Sequence, residues 1–370
     1  MKVIFQICFT VYIILSSLMC DYDPGVTDAG SLINIPYKPT TVVPPTTVST
    51  YPALEIPVDN PLTKEGIALG RKLFYDPILS KDSMQSCSSC HKPELSFTDN
   101  MPTSKGVDGF NGRRSSMNLL DAGFQTHGLF WDGRVNTLEE QALKPVEDPL
   151  EMHFTWPQVL ERIKRHKTYP AELRQAFGIV HKDSIKKEHI VKAIAQFERM
   201  IVSSGKSKYD LSITPGSGVF LDESEYRGFL MYFDKSGGRM PDAECFHCHN
   251  LPLLASTDYF NNGIQKVNSL NDFPDKGRGG VTGNLVENGQ FRAPTLRNIT
   301  YTAPYMHDGR FKTLEEVIDH YNSGGNPADN KNPFIRKLKL TDQQKLDLIA
   351  FLKTLADSSL IKNPELRSPF

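Results

Sequence analysis

Apolar residues recur at helical spacing through Leu62–Asp76 (LTKEGIALGRKLFYD) and again through Leu221–Asp234 (LDESEYRGFLMYFD). Each run opens with an N-cap candidate, Thr63 or Asp222, so each predicts a helix. A further run, Ile185–Met200 (IKKEHIVKAIAQFERM), gathers Ile190, Ala193, Ile194 and Phe197 on one side. It predicts an amphipathic helix that packs across a domain junction. Alternating strand patterns are scarce. The fold class expected is mainly α, with long loops and little strand.

The N-terminal region departs from this pattern. MKVIFQICFTVYIILSSLMC holds one lysine and then an apolar run too short for a convincing transmembrane span. Residues 1–20 therefore read as an export signal. Cys20 closes the run in LSSLMC, which resembles a bacterial lipoprotein box with an unusual methionine before the cysteine. A lipid anchor at Cys20 and an ordinary cleaved signal both stay open. Residues 21–56, rich in Pro, Thr and Val around VVPPTTV, lack any periodicity a core could use and read as an extended tether.

Composition narrows the rest. A chain of 370 residues with 39% hydrophobic content can bury two cores, expected here in residues 57–215 and 216–370. The formal net charge of -1 gives no reason to expect nucleic acid or an anionic membrane surface as a partner.

The two helical runs belong to a longer repeat. Thr98-Asp99 is answered by Thr257-Asp258, RSSMNLLDAGF (114–124) by RAPTLRNITYT (292–302), and FWDGRVNTLEE (130–140) by MHDGRFKTLEE (306–316). Between them, all four cysteines of the presumed folded part stand in C-x-x-C pairs followed at once by histidine: Cys87, Cys90 and His91 in CSSCH, and Cys245, Cys248 and His249 in CFHCH. Behind an export signal this is the attachment pattern of c-type haem. Two thiols one turn apart can form thioethers with the vinyl groups, and the adjacent imidazole can bind iron. A redox C-x-x-C does not require the histidine, and a four-cysteine zinc site requires the two pairs to meet in space. Two tandem cytochrome c-like haem domains are the simplest expectation, with two covalently bound haem c.

Within the repeat, the change from Phe-Trp to Met-His carries chemical weight. Met306 overlays Phe130. Methionine can serve as a second axial ligand and phenylalanine cannot. The His249 haem is therefore expected to be six-coordinate through Met306 and the His91 haem to keep an open face, although most methionines are core residues and Tyr305 and His307 are neighbouring competitors. An open haem suits a small oxidant such as peroxide, whose cleavage needs a proton carrier and a hydrogen-bond donor. LEEQALKPVEDPLEMH (138–153) offers Gln141, four glutamates and His153, and spacing does not choose among them.

Together CSSCH, FWDGR, EEQAL followed by PLEM, AIAQFER, CFHCH, LRN and APYMHDGR resemble the bacterial di-haem cytochrome c peroxidases, the superfamily that includes the MauG-type enzymes. The resemblance runs from about Leu62 to Leu355. It implies that Trp131 relays electrons between the haems, that Gln141 and Glu151 are the distal glutamine and catalytic glutamate, and that Met306 is the axial ligand of the electron-transfer haem. Members usually carry a histidine in the loop after the first haem motif. The corresponding 103–116 (TSKGVDGFNGRRSS) has none, so either His127 or His153 takes that task or the first haem is permanently open, the reading preferred here. Ser115 stands where the family usually has a calcium-binding asparagine, which weakens the case for calcium, although carbonyl and water ligands could hold one.

The function implied is an exported, periplasmic peroxidase that reduces hydrogen peroxide with electrons from a small cytochrome c or cupredoxin, and the resemblance adds the homodimer common in the family. Alternatives are a MauG-like oxidase acting on a partner protein, against which Met306 in place of tyrosine argues, and a non-enzymatic di-haem electron carrier, which would need a ligand on both irons.

Overall fold

In a computed structural model, the structure describes residues 28–45, 48, 50–125 and 127–370. The expected export signal and Cys20 lie outside the described residues. Twelve helices are described, in chain order: α1 (Lys64–Tyr75), α2 (Cys87–Cys90), α3 (Leu138–Glu147), α4 (Trp156–Arg165), α5 (Tyr169–Phe177), α6 (Lys187–Glu198), α7 (Lys208–Ser212), α8 (Glu223–Tyr232), α9 (Gly279–Thr282), α10 (Leu314–Ser323), α11 (Asp342–Lys353) and α12 (Ser358–Lys362). Among the described residues, strand is confined to one antiparallel pair, β1 (Tyr259–Phe260) and β2 (Phe291–Arg292), in register Tyr259↔Arg292.

Helix starts follow the caps read from sequence. The Thr63 hydroxyl accepts from the Gly66 amide, and Asp222 forms a reciprocal capping box with Glu225. Thr137 and Thr313 cap α3 and α10 in the same way, each in the repeated TLEE.

The same architecture occurs twice. In the first half α1 crosses α6, and in the second α8 crosses α11. Both crossings bring backbone against backbone at an equivalent glycine of the aligned runs GRKLFYD and GFLMYFD. A Cβ on Gly70 would lie 1.8 Å from the Ala193 carbonyl oxygen, and one on Gly228 would lie 2.0 Å from that of Asp347. Only glycine permits this approach. Leu69, Leu73, Ile190 and Ile194 fill the core beneath the first crossing; Met231, Leu348, Phe351 and Leu352 fill the second.

Three contacts were not legible in the sequence. The helix assigned to a domain junction lies inside the first half, where Ile190, Ala193 and Ile194 are buried beside α1. Its end alone reaches the junction: Phe197 belongs to a cluster with Leu360 and Leu366 of the other half, and Met200 packs against that cluster. The second half does not end as an independent unit: its last segment returns to the first, where Arg71 Nε donates to the Arg367 carbonyl at 2.7 Å and the Tyr75 hydroxyl to that of Leu366 at 2.5 Å. Nor is the Pro/Thr-rich stretch a free tether from Asp28 on. Leu32 is buried in the first core, its amide donates to the Val180 carbonyl at 2.8 Å, and the Tyr51 hydroxyl donates to buried Asp121 at 2.8 Å. Isolated apolar side chains, rather than a periodic face, anchor that extended stretch.

No described helix is long and apolar enough to cross a membrane.

Candidate functional site

The first C-x-x-C-H is built on α2, one turn long, which places Cys87 and Cys90 side by side with His91 at its C-cap. His91 Nδ1 lies 2.9 Å from the Phe97 carbonyl and 3.2 Å from Ser116 Oγ. Donation from Nδ1 leaves Nε2 with a free lone pair, the form a metal needs. Burial keeps the ring neutral by lowering its pKa, and the same burial raises both thiols. Raised thiols are the opposite of an activated redox C-x-x-C. Among the described residues the four cysteines do not converge on one point either, which removes the zinc alternative.

The second motif repeats the arrangement. His249 Nδ1 lies 2.9 Å from the Pro294 carbonyl, and burial lowers the pKa of the ring to about 4. Cys245, Cys248 and His249 open into a cavity whose other walls include Phe260, Asn262, Arg292, Met306 and Tyr321. Met306 thus shares one cavity with the histidine expected to face it. Its sulfur lies 3.4 Å from Asn262 Nδ2. Met306 and Phe130 adopt the same left-handed backbone, at φ 74° and 65°, each inside the same small bridged turn: Tyr305↔Phe311 in one half and Leu129↔Val135 in the other. The two positions are therefore equivalent in conformation as well as in sequence.

Arg292 was not singled out from sequence. It is buried, which lowers its pKa to about 10, and its Nε has no hydrogen-bond partner. Its Nη1 makes only long contacts, 3.4 Å to Gln125 and 3.3 Å to the Gly128 carbonyl. Among the described residues no carboxylate pairs with it, so a buried cation faces the cavity uncompensated. A porphyrin carrying propionates fits: thiols for the vinyl groups, an imidazole and a thioether for the iron, and a guanidinium for a carboxylate. Arg292 opens the repeated RAPTLRN, but a burial that leaves a cation unpaired is not visible in sequence.

Trp131 lines the same cavity and donates from Nε1 to the Ser115 carbonyl at 2.9 Å. Its ring meets His307 edge to face at 6.5 Å, and His307 stacks on Phe291 at 3.7 Å.

Glu151 lies on the first side. Burial, then the nearby Asp148, raises its carboxyl to about 7, partly offset by Arg134, and its charge is felt by both Cys87 and Cys90. The 103–116 loop closes over its backbone, where the Val107 amide donates to the Glu151 carbonyl at 2.8 Å. Gln141 is half-buried in α3, and no hydrogen bond joins it to Glu151. His153 is exposed and paired with Asp108, which also holds Lys81 at 2.9 Å; His127 is exposed. Glu198 was also missed: it is buried, raised to about 8 by desolvation, and acts on Cys87 through its charge.

Comparison with known proteins places this geometry. The family model described as di-haem cytochrome c peroxidase matches residues 64–215. The chain is 34% identical to a cytochrome-c peroxidase of Pseudomonas sp. (strain SCT), over 83% of this chain and 85% of the relative. It is 32% identical to the methylamine utilization protein MauG of Methylorubrum extorquens, over 84% of each. Among solved structures, a MauG-like protein associated with microbial copper homeostasis aligns with a TM-score of 0.78 and 36% identity, covering 87% of this chain and 97% of that one.

Proposed function

The chain belongs to the di-haem cytochrome c peroxidase family, an oxidoreductase family with haem c cofactors, and from that premise we propose that it is an exported peroxidase. It reduces hydrogen peroxide to two waters with two protons and two electrons from a small cytochrome c or cupredoxin. Cys87 and Cys90 hold one haem and Cys245 and Cys248 the other, with His91 and His249 as proximal ligands. Bound haem supplies one iron open to peroxide and a second that stores an electron. The observation that carries this reading is the inequality at one repeated turn: a side chain able to bind iron at Met306 and one unable to at Phe130, with matching φ of 74° and 65°.

The chain's own groups then divide the work. Glu151 accepts a proton from one peroxide oxygen and returns it to the other, which leaves as water. A carboxyl near 7 suits both directions. Gln141 donates a hydrogen bond to the departing oxygen. Trp131, between the two halves, passes electrons across the junction. His153, committed to Asp108, is not needed to cap the first haem, so no prior reduction is required.

Calcium has no part in this reading. The amide, hydroxyl and carbonyl of Ser115 all bond protein groups, and Arg114 already sits between Asp132 (2.6 Å) and Asp275 (2.7 Å). The reading also includes export through residues 1–20, with a lipid anchor at Cys20 as one form of it.

A second reading, a MauG-like oxidase that takes electrons from a partner protein, draws on the 32% identity to MauG. Steady-state turnover of peroxide with reduced cytochrome c, with and without partial prior reduction, separates the two. Turnover without a lag supports the open-haem peroxidase, whereas no turnover with any small donor favours the oxidase.

A further inference from the structure

Ser115 is bonded at all three of its polar groups, and every bond leaves its own segment. Its amide donates to the His307 carbonyl at 2.8 Å, its hydroxyl donates to the Met306 carbonyl at 2.9 Å, and its carbonyl accepts the Trp131 indole N–H at 2.9 Å. The neighbouring Ser116 hydroxyl donates to the Cys90 carbonyl at 2.6 Å and stands 3.2 Å from His91 Nδ1. Two consecutive serines therefore touch the proximal histidine of one site, the tryptophan at the junction, and the backbone that carries the sulfur of the other site.

The repeat contains its own control. The hydrogen bonds pair the two halves residue for residue: the Ser115 amide donates to the His307 carbonyl and the Arg292 amide to that of Trp131, so Arg292 and Ala293 occupy the places of Ser115 and Ser116. There the histidine takes the Pro294 backbone carbonyl, and Ala293 has no side-chain donor. A half of this architecture forms without either hydroxyl. The Ser115 hydroxyl instead serves the contact between halves. Its bond is made at the Met306 carbonyl, beside a backbone at φ 74°; Phe130 takes φ 65° in the other half without such a hydroxyl, so the bond places the turn against the first half rather than creating its conformation.

We infer that Ser115 is a positioning residue for electron transfer between the two haem sites: it fixes the Met306 turn and the Trp131 indole relative to each other and, through Ser116, to His91. The inference rests on Met306 being an iron ligand. Electron transfer depends steeply on the placement of its carriers, and a hydroxyl that sets two of them at once acts on rate without touching substrate. The indole donates to a neutral carbonyl rather than to a carboxylate or imidazole, so Trp131 has no base to which its N–H proton could be lost there.

The test uses the haem-loaded full chain and compares wild type with Ser115→Ala, Ser115→Thr and Trp131→Phe. The readouts are the rate of electron exchange between the haems after rapid partial reduction and the near-infrared sulfur-to-iron charge-transfer band. Expected for Ser115→Ala is exchange slowed about tenfold or more, as for a small misplacement of reacting groups, with a shifted sulfur band and an unchanged first-haem spectrum. Ser115→Thr restores the rate. The double variant with Trp131→Phe is no slower than Trp131→Phe alone, because both act on one route. If Ser115→Ala fails to load haem, Ser115→Cys, of similar size with a weaker donor, is expected to show the same slowing. A loaded Ser115→Ala or Ser115→Cys protein with wild-type exchange and an unshifted band overturns the inference and leaves the proposed function standing. A wild-type protein with no sulfur band removes the ligand assignment and the inference with it.

Discussion

In the proposed mechanism Glu151 carries the chemistry of the first site, a half-buried carboxyl raised to about 7 and with no side-chain hydrogen bond to hold either form. Because it must begin as a base, kcat/KM for peroxide is expected to fall as pH drops below about 7, the value its burial sets. Glu151→Gln should lose about 10²–10⁴-fold of turnover while haem content and both absorption spectra stay intact; retained turnover would move the proton to another group. Glu198 makes a separate stability prediction. Its folded pKa, about 8, lies above the ordinary 4.5, so the folded state holds a proton that the unfolded chain has released. Stability is full below about 4.5 and is lost as pH rises to about 8. Glu198→Gln should flatten the dependence of Tm on pH across that window. At this scale the sequence was a partial guide. Residue type and spacing offered several acids between 138 and 153, and family resemblance selected Glu151 among them. Neither indicated Glu198 or Arg292, whose importance comes from being enclosed without a partner.

At the scale of elements, the glycine crossings hold the two halves in shape. Gly70→Ala and Gly228→Ala each press a methyl into a facing carbonyl, 1.8 and 2.0 Å away before relaxation. Each is expected to cost about 1–3 kcal/mol or more, measurable as a lower Tm, and a neutral result would mean the helices can part without loss. Leu366→Ala tests the returning C-terminal segment, since Leu366 is buried against Phe74, Phe97 and Phe197 of the first half. A loss of about 2–5 kcal/mol in the first half's transition is expected. The helices themselves were legible, with caps at Thr63 and Asp222 at the positions the sequence marks. Their partners were not. Helical periodicity says which face of Lys187–Glu198 is buried but not what covers it, and the segment after α11 carries too few apolar residues to announce that it crosses to the other half.

For the whole molecule, duplication followed by divergence is the organising fact, and it was legible because equivalent motifs kept their order. In the proposed reading divergence carries function where the copies differ, Phe130 against Met306 and Ser115 against Arg292. The junction between the copies is closed by Arg114, Asp132 and Asp275 and by the bonds of Ser115. Exhaustive chelation of divalent cations is therefore expected to leave peroxide turnover and both spectra unchanged, whereas a loss restored by calcium would show that the junction needs the ion. Inequality of the two iron sites is the claim on which the peroxidase reading depends. It is tested most directly by the spin state of the fully oxidised, haem-loaded protein before and after cyanide. One high-spin haem that turns low-spin with cyanide, beside one low-spin haem that does not respond, is the predicted result; two low-spin haems, both indifferent to cyanide, would contradict it.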